Sequence, residues 1–423
     1  MIKTTIAHQR QERDRLLAHP YLVRHVGDDV DELLRSHSIK LITGPRRAGK
    51  STQALLMLRG KNFAYLNFDD NDLLEAWNET KVEQAVDEIY PGHDFLLLDE
   101  VQNVPSWDVW VSKLYRRGVN MVITGSNANM LSGEMATMLT GRYVELKILP
   151  FSLAETFEWN HLDTHHIVEK YRDRASMLCD DYLHNGGYPE TVAQRGLTHS
   201  YMSTLFDAIV FKDVVRRHRV RNVTDLSNLA HYLLSNVCNQ LSYNNVKDDL
   251  GLSSVSTTKK FMHYLHEPYL FYYLARYNNK MKLMKKAPQK VYVVDNGFIT
   301  SRGFNLSENL GRLLENMVFI ELLRRGYDTE NSIFYYRSRN DKETDFVLRD
   351  GVHVKHLIQV CYDLSSDKTR RRETESIVEC AGELNCSDLT IVTYATAPCV
   401  INEKGYNVQV VPFMQWQLGG YRD

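Results

Sequence analysis

The sequence predicts an α/β protein whose amino-terminal part is a doubly wound parallel sheet. Between residues 38 and 148, apolar runs of high β propensity alternate with segments of helical period; the runs are IKLIT, FAYLNF, DFLLLD, NMVIT and YVELKIL. This alternation is typical of parallel strands joined by crossover helices. A glycine-rich loop between the first run and the helical segment TQALLMLRG supports the same order. We expect this domain to span residues 1–150.

Composition places the chain among globular proteins of a reducing compartment. Its 423 residues suffice for about two to four domains, and 43% of them are hydrophobic. Six cysteines include no C-x-x-C pair, so neither a disulfide framework nor a zinc cluster is expected. The first residues lack the apolar core of a signal peptide, and no run of about 18 apolar residues could span a membrane. We therefore predict a cytoplasmic protein without membrane contact.

The segment KLITGPRRAGKST has the spacing of a phosphate-binding loop, G-x-x-x-x-G-K-[ST]. Between a strand and a helix, such a loop points backbone N–H groups at a phosphate, at the positive end of the helix dipole. Lys50 would then reach the β- and γ-phosphates, and the Ser51 hydroxyl would bind Mg²⁺. The predicted nucleotide-binding residues are Gly44, Pro45, Arg46, Arg47, Ala48, Gly49, Lys50, Ser51 and Thr52. The alternative is a glycine turn without a ligand.

An acidic pair stands where the second part of such a site is expected, one or two strand–helix units later. Asp99 and Glu100 end the apolar run HDFLLLDE. Asp99 at a strand end could bind Mg²⁺, and Glu100 could orient and deprotonate an attacking water molecule. We predict them as the metal-binding and the catalytic carboxylate. The alternative is a pair of acids that caps the following helix.

Two further polar residues flank predicted strands. Asn127 follows the run NMVITGS, where its amide could contact a γ-phosphate or the attacking water. Ser126 or Asn127 would also cap a helix predicted over residues 128–139, and the two roles are compatible. Arg142 precedes the last run of the sheet, and an arginine there could stabilise γ-phosphate charge in a neighbouring subunit. A surface arginine is the alternative.

In this order, the motifs GPRRAGKST, LLLDE, ITGSN, LTGR and LPFSLAE resemble those of prokaryotic AAA+ ATPases of the AAA_14 type. These proteins usually carry a C-terminal domain called DUF4143, and the resemblance extends over nearly the whole chain. It implies a five-stranded parallel sheet, ATP as the ligand and an arginine finger at Arg142. A finger that acts on a neighbouring subunit would make the protein a homo-oligomer.

Residues 151–225 have helical period and are expected to form a helical lid. In the next segment, 226–285, LSYNNVKDDLGLSSVSTTKKFMHYL fits a helix-turn-helix, and an aromatic β pair after it would complete a winged helix. Five lysines between residues 280 and 290, together with Lys259 and Lys260, could contact DNA phosphates. The net charge of −2 allows such a local basic patch but argues against wider coating of nucleic acid. A protein-binding winged helix is the alternative.

The C-terminal segment, residues 286–423, has the order αβββαβ and resembles the PD-(D/E)XK nuclease core. In that family a helix Glu, a strand Asp, a second carboxylate and a lysine meet at a divalent metal. Glu315 and Asp345 match the first two positions, but Gln359 and Cys361 stand at the others. Mg²⁺ prefers carboxylate oxygens, and a thiol cannot replace the charge of a lysine. We predict a nuclease-like α/β fold with a vestigial site.

Three functions stay open from the sequence. The first is an AAA+ switch or remodeller that hydrolyses ATP and engages DNA or a protein partner through its winged helix and C-terminal domain. The second is an ATP-gated nuclease effector, which would need a displaced lysine; Lys355 and Lys368 are candidates, although both are more typical of surface charges. The third is a signalling scaffold that binds ATP tightly and turns it over slowly.

Overall fold

A computed structural model describes residues 1–25, 30–128, 139, 141–164, 172–303 and 309–419 of the chain. The chain divides into two units. Unit 1 comprises residues 1–149 and 267–269, and unit 2 comprises residues 150–266 and 270–423. Within the described ranges, no helix combines the length and the apolar character that crossing a bilayer requires.

Unit 1 is built on a five-stranded sheet. Its strands are β1 (Ile39–Thr43), β2 (Phe63–Asn67), β3 (Phe95–Asp99), β4 (Met121–Gly125) and β5 (Tyr143–Lys147). Its helices are α1 (Ile2–Ala18), α2 (Val30–Arg35), α3 (Lys50–Met57), α4 (Asn71–Glu75), α5 (Glu79–Ile89) and α6 (Trp107–Arg116). The strands lie in the order β2-β3-β4-β1-β5, and all their pairings are parallel. This sheet confirms the α/β fold that the alternating apolar runs predicted.

Both faces of the sheet are covered at β1 to β4, since alternate residues of a strand point to opposite sides and nearly all residues of these four strands are buried. In β1, Leu41 belongs to a core formed with α1, α5 and α6, whereas Ile42 belongs to a second core formed with α2 and α3. A polar exception is Lys40, whose buried ammonium donates to Ser36 O and Asn120 Oδ1, each at 2.6 Å. Burial lowers the pKa of Lys40 to about 8. The nearly continuous apolar character of these strands therefore reflects cover on both faces.

Helices dominate the first part of unit 2. They are α7 (Leu153–Trp159), α8 (Arg172–Asn185), α9 (Pro189–Ala193), α10 (Thr198–Ala208) and α11 (Val223–Ser235). The segment Ile209–Arg216 continues α10 as a π-helix. Ser152 and Glu155 form a reciprocal capping box, which sets the first residue of α7.

The turn NGGYPE between α8 and α9 closes around a buried carboxylate. Asp295 accepts a hydrogen bond from the Gly187 N–H at 2.8 Å. A Cβ atom on Gly186, whose φ is +70°, would lie only 1.8 Å from an Asp295 oxygen. Burial raises the pKa of Asp295 to about 7. Packing against Asp295 thus accounts for Gly186, whereas a Cβ atom on Gly187 would lie 2.1 Å from the Phe151 carbonyl oxygen.

Two helices and a small antiparallel sheet follow. The helices α12 (Tyr243–Leu250) and α13 (Val255–His266) are joined by a turn in which Gly251 is left-handed, with φ 62°. The strands β6 (Gln240–Leu241), β7 (Phe271–Leu274) and β8 (Gln289–Val293) lie in the order β6-β8-β7, and the short helix α14 (Met281–Met284) sits between β7 and β8. The return strand β8 therefore lies beyond residue 285, where the sequence predicts a domain boundary.

The rest of unit 2 contains a six-stranded mixed sheet. Its strands are β9 (Ile333–Arg337), β10 (Glu343–Asp350), β11 (His353–Cys361), β12 (Leu389–Thr393), β13 (Cys399–Glu403) and β14 (Tyr406–Pro412), in the order β13-β14-β12-β11-β10-β9. The helices are α15 (Asn296–Arg302), α16 (Leu310–Arg324), α17 (Asp367–Leu384) and α18 (Phe413–Gln417). The predicted αβββαβ order corresponds to α16-β9-β10-β11-α17-β12, and the sequence did not predict the hairpin β13–β14.

Candidate nucleotide-binding site

The glycine loop lies at the carboxyl end of β1 and leads directly into α3. Gly44 has a φ of 137°, and a Cβ atom there would lie 2.0 Å from the carbonyl oxygen of Ile148. Gly49 has a φ of 98° and stands immediately before α3. Since a side chain at Gly44 would overlap Ile148, the loop can run in this position only with a glycine. The predicted strand–loop–helix context of the motif is therefore present.

An arginine from outside the motif braces this loop. Arg24 donates through Nη1 to the Ala48 carbonyl oxygen at 3.0 Å and through Nη2 to the Leu149 carbonyl oxygen at 2.7 Å. These bonds tie the loop to the segment that follows β5. Sequence reasoning missed Arg24, because no local motif links it to a loop about twenty residues away.

Lys50 is buried beneath the loop. Its ammonium donates to the Pro45 carbonyl oxygen at 3.0 Å and lies 3.7 Å from Glu100 Oε1. The second distance is long for a charge-assisted hydrogen bond. An ammonium has three N–H donors, so these contacts leave Lys50 capacity to bind a phosphate oxygen.

Asp99 accepts hydrogen bonds from three hydroxyls. Ser51 Oγ donates to Asp99 Oδ1 at 2.8 Å, Tyr65 lies 3.3 Å from Oδ2, and Thr124 donates to Oδ1 as well. Burial raises the pKa of Asp99 to about 6, and the charge of Glu100 adds to this effect, whereas the hydroxyl donors oppose it. Asp99 is thus a buried carboxylate whose oxygens accept hydrogen bonds from three hydroxyls.

The residues predicted for Mg²⁺ fit that ion. The contact between Ser51 and Asp99 places a hydroxyl oxygen beside a carboxylate oxygen, and both are hard donors of the type that Mg²⁺ prefers. In the part of the chain that the structure describes, no three His, Cys, Asp or Glu side chains are grouped to hold a metal. The usual Mg²⁺ site of an ATPase has one or two protein ligands, which act together with phosphates and water.

Glu100 has a different environment from its neighbour. Its backbone is left-handed, with φ 53°, and its N–H donates to Thr124 Oγ1 at 3.0 Å. Ser126 Oγ donates to its Oε2 at 3.1 Å, and Gln102 Nε2 donates to the same oxygen. Burial alone would raise the pKa of Glu100, but Lys50 and these donors outweigh burial and hold the pKa below its ordinary value. Glu100 is therefore ionised at neutral pH.

The structure brings the candidate residues of three adjacent strands to one edge of the sheet. The parallel register pairs Thr43 at the end of β1 with Gly125 at the end of β4, and β3 lies on the other side of β4. Asn127 is half-buried and follows β4 by two residues. The helix that Asn127 was predicted to cap lies mostly outside the described residues. Thr124 and Ser126 were missed, although their hydroxyls flank the end of a strand beside the Asp-Glu pair.

Arg142 lies at the other end of the sheet. β5 pairs with β1 so that Tyr143 stands opposite Ile39, and the Ile39 N–H donates to the Arg142 carbonyl oxygen at 2.7 Å. The phosphate loop begins five residues after Ile39, which corresponds to roughly 16 Å along an extended strand. The Arg142 guanidinium contacts Ser112 Oγ at 3.3 Å and lies 5.5 Å from the centroid of the Tyr115 ring. It therefore cannot reach the phosphate loop of its own chain.

In unit 2, Glu315 and Asp345 of the predicted vestigial site meet at a lysine that the sequence did not assign to them. Lys290 Nζ lies 2.9 Å from Glu315, 2.7 Å from Glu343 and 2.8 Å from Asp345. Tyr292 donates to Glu315 Oε1 at 2.7 Å. Burial lowers the pKa of Lys290, but the carboxylates outweigh it and hold the pKa well above its ordinary value. Burial raises the pKa of Glu315 to about 7 against the opposing charge of Lys290.

The other two predicted members of that site point to other partners. Gln359 Oε1 accepts from the Asp345 backbone N–H at 3.3 Å, and its amide nitrogen donates to Glu373 at 2.9 Å. The Cys361 thiol donates to the Asp363 carbonyl oxygen at 3.3 Å, and burial raises the pKa of this thiol to about 11. Gln359 therefore borders the carboxylate cluster through a backbone bond, whereas Cys361 is a neutral thiol outside it.

The expectation for Lys290 was wrong. The sequence places it among five wing lysines available to DNA, but its side chain is buried between carboxylates. Lys355 and Lys368, the two lysines considered for a displaced nuclease site, are exposed. The sequence contains a weak signal, because Lys290 directly precedes the apolar run VYVV and so lies within a predicted strand.

Comparison with known protein families gives three consecutive matches. An AAA domain, AAA_14, matches residues 36–157; a domain of unknown function, DUF8612, matches residues 177–308; and a second domain of unknown function, DUF4143, matches residues 310–416. The first and third were expected from the motifs in the sequence. The match to DUF8612 covers most of the helical region and the small sheet of unit 2.

Whole-chain relatives occur in an archaeon and a bacterium. The uncharacterized protein MJ1544 of Methanocaldococcus jannaschii is 30% identical over 413 residues, which cover 93% of this chain and 91% of that protein. An uncharacterized protein of Haemophilus influenzae is 32% identical over 360 residues, which cover 80% of this chain and 86% of that protein. Among solved structures, the Walker-type ATPase PABY2304 of Pyrococcus abyssi is 14% identical, with a TM-score of 0.42 over 68% of this chain and 99% of that one.

Proposed function

Since the chain belongs to the family of proteins that join an AAA_14 domain to a DUF4143 domain, we propose that it is an AAA+ switch or remodeller that hydrolyses ATP to ADP and phosphate. The observation that carries this proposal is the convergence of Lys50, the Ser51–Asp99 pair and Glu100 on one glycine loop. In such an arrangement different residues bind the phosphates, hold the metal ion and activate the attacking water.

Each residue has one role in the proposed reaction. Backbone N–H groups of the glycine loop, other than Pro45, which has none, and the Lys50 ammonium bind the phosphates. Ser51 and Asp99 would hold Mg²⁺, which neutralises charge on the phosphates when it is bound. Glu100 is ionised, so it can orient the attacking water and accept its proton. Asn127 contacts the γ-phosphate or that water.

Replacing Glu100 with Gln tests the proposal. The amide keeps the size of the side chain and an oxygen that can accept from Ser126, but it cannot accept a proton. We expect kcat to fall by about 100-fold or more, the range seen when a general base is lost, while ATP binding persists. Glu75→Gln removes the same charge from an exposed position and should leave kcat unchanged. Equal rates in Glu100→Gln and wild type, or a wild type without ATP hydrolysis, would reject the proposal.

We also propose that the protein acts as a homo-oligomer in which Arg142 completes the site of a neighbouring copy. The proposal is supported by the position of Arg142 at the edge of the sheet opposite its own phosphate loop. Co-expressed Arg142→Ala and Glu100→Gln chains provide the test, because each alone should be inactive. Random mixing pairs an intact Glu100 with an intact Arg142 at about one interface in four, so about a quarter of the activity should return. A mixture that stays inactive contradicts the shared site.

The proposed domain division follows the sequence: residues 1–150 form the ATPase core, 151–225 the lid, 226–285 the winged helix and 286–423 the nuclease-like domain. The return strand β8 pairs with β7, so a wing would extend to Val293. For the C-terminal domain we propose a partner-binding role without nuclease activity. This is supported by Lys290, which lies among the carboxylates that a catalytic metal would need.

A further inference from the structure

Two basic segments of unit 2 lie against each other. The first is FKDVVRRHRVR, residues 211–221, which contains five Lys or Arg residues and a single acid, Asp213. The Asp213 side chain is buried. Four of the five cations are exposed; they are Lys212, Arg216, Arg219 and Arg221. This segment includes the π-helical turn and the connection to α11.

The second basic segment is the outer face of α13. Its exposed residues Ser256, Lys259, Lys260 and His263 recur at the spacing of one helix face. The helix contains no Asp or Glu. Lys259 Nζ lies 5.0 Å from the centroid of the Tyr243 ring, so its aliphatic stem follows the protein surface while its charge stays accessible.

Tyr264 joins the two segments. Its ring stacks on His218 with the centroids 3.6 Å apart and the planes at 10°. Lys260 Nζ lies 5.6 Å from the centroid of the same ring. Since His218 stands between Arg217 and Arg219 in the chain, this stack holds the arginines of the first segment beside the lysines of α13.

The neighbouring acids are engaged in local contacts of their own. In α12, Asp248 pairs with Lys247 at 2.6 Å, and Asp249 accepts from the Tyr232 hydroxyl at 2.5 Å. Asp225 accepts from the Asn222 side chain at 2.5 Å, at the start of α11. None of these acids stands on α13 or on residues 211–221, so a strip of positive charge crosses both segments.

We infer that these exposed cations form one surface, here called the basic face, that binds the phosphate backbone of duplex DNA; its members are Lys212, Arg216, Arg219, Arg221, Lys259 and Lys260. The inference rests on the proposed switch, for which it names the partner. Each phosphate that a Lys or Arg neutralises releases condensed counterions, and two adjoining segments of cations match a continuous track of phosphates. α13 carries no arginine to read guanine bidentately, so binding is through the backbone and largely independent of base sequence.

The test compares two triple variants of the full-length protein. Arg216→Gln, Arg219→Gln and Arg221→Gln together remove three charges from the basic face. Lys355→Gln, Lys368→Gln and Arg371→Gln remove the same charge from exposed positions of the six-stranded sheet region and serve as the matched control. Binding of a fluorescent duplex is measured by anisotropy at several salt concentrations, and ATP hydrolysis is measured on the same preparations.

The basic-face variant should bind the duplex about tenfold or more weakly, with the slope of log K against log salt reduced by about 0.9 for each phosphate that is no longer neutralised. The control variant should bind as the wild type does. Equal binding by both variants, or wild-type binding of poly-glutamate as tight as that of the duplex, would overturn the inference. If the wild type hydrolyses ATP but binds no duplex, the inference that the basic face binds DNA is rejected and the proposed ATP-hydrolysing switch stands. If the wild type binds the duplex but does not hydrolyse ATP, the proposed switch is rejected and DNA binding by the basic face stands.

Discussion

Two buried lysines of this chain stand near carboxylates, and their surroundings differ in one decisive respect. Lys50 in unit 1 contacts a single carboxylate at 3.7 Å and one carbonyl oxygen. Lys290 in unit 2 lies within 2.9 Å of Glu315, Glu343 and Asp345. An ammonium has three N–H donors, so Lys290 is saturated while Lys50 has capacity left for a ligand. Residue type alone therefore does not separate a binding lysine from a structural one; the number of partners does.

The glutamates beside these lysines differ in the same way. Glu100 receives hydrogen bonds from Ser126 and Gln102 in addition to the charge of Lys50, and its pKa is lowered. Burial raises the pKa of Glu315 to about 7, and the charge of Asp345, which shares Lys290 with it, adds to this effect. A carboxylate surrounded by donors stays charged for catalysis, whereas one in an acid-rich cluster tends to keep its proton.

The largest expected difference between the two lysines is in ATP hydrolysis. Replacing Lys50 with Met removes a phosphate-binding charge, so hydrolysis should fall by about 100-fold or more. Replacing Lys290 with Met changes no group at the nucleotide site, and its rate per folded molecule should stay within about twofold of wild type. Steady-state ATPase assays on folded fractions measure both. A comparable loss in the two variants would show that the lysines are not functionally distinct.

Stability should separate the same two variants in the opposite order. Lys290→Met leaves three carboxylates, of which Asp345 is buried and Glu315 and Glu343 are partly buried, without their cation, and breaking a buried ion pair costs about 3–5 kcal/mol. Lys50→Met breaks the hydrogen bond to Pro45 and the longer contact with Glu100, and it should cost only about 1 kcal/mol, since Glu100 keeps its other donors. Urea unfolding followed by circular dichroism gives both values. If Lys290→Met unfolds at the same urea concentration as wild type, the cluster does not depend on its lysine.

A smaller effect is expected from the pH dependence of the two glutamates. The folded-state pKa of Glu315, about 7, lies above its ordinary value of 4.5, so the folded chain keeps a proton that the unfolded chain has lost. The contribution of Glu315 to stability is then full below pH 4.5 and is lost as pH rises through 7, by about 1–3 kcal/mol. Glu315→Gln should flatten the decline in unfolding free energy between pH 5 and 8.

The matched variant is Glu100→Gln, because the contribution of Glu100 to the unfolding free energy changes with pH in the opposite direction. The lowered pKa of Glu100 means that its stabilisation is present above its ordinary pKa and disappears as pH falls below it. Its replacement should therefore flatten the acid side of the stability profile, whereas the decline that Glu315 causes between pH 5 and 8 should persist. If Glu315→Gln and Glu100→Gln give the same profile of unfolding free energy against pH, the two glutamates do not differ as described.

The smallest effect is expected from restoring the residues that the nuclease pattern lacks. In Gln359→Glu with Cys361→Lys, Lys290 would still pair with Glu315 and Asp345, so we expect no cleavage of plasmid DNA with Mg²⁺ or Mn²⁺. Gel analysis of the incubated plasmid detects any nicking. Cleavage that disappears when Asp345 is also replaced by Ala would show that the lysine does not block the site.

Much of unit 1 could be predicted, because its elements carry local signals. The apolar runs with intervening helical segments predicted the five strands, and the spacing from Gly44 to Ser51 predicted the loop at the end of β1. Position 44 must be glycine, because a side chain there would overlap the Ile148 carbonyl oxygen. The glycine of the motif is therefore a local sign of this turn. Arg24, Thr124, Ser126 and Gln102 were missed, since their roles depend on contacts that no local pattern records.

The parallel sheet, the loop, the Asp99–Glu100 pair and the order of elements from α16 to β12 could be predicted from the sequence, because periodicity and spacing are properties of neighbouring residues. Which of the two lysines keeps N–H donors for a ligand depends on tertiary contacts that no stretch of sequence shows. Lys290 is 55 residues from Asp345 in the chain, and strand pairing with helix packing brings them to 2.8 Å. An ion pair of that kind leaves no local pattern, since its energy depends on burial and on the number of partners.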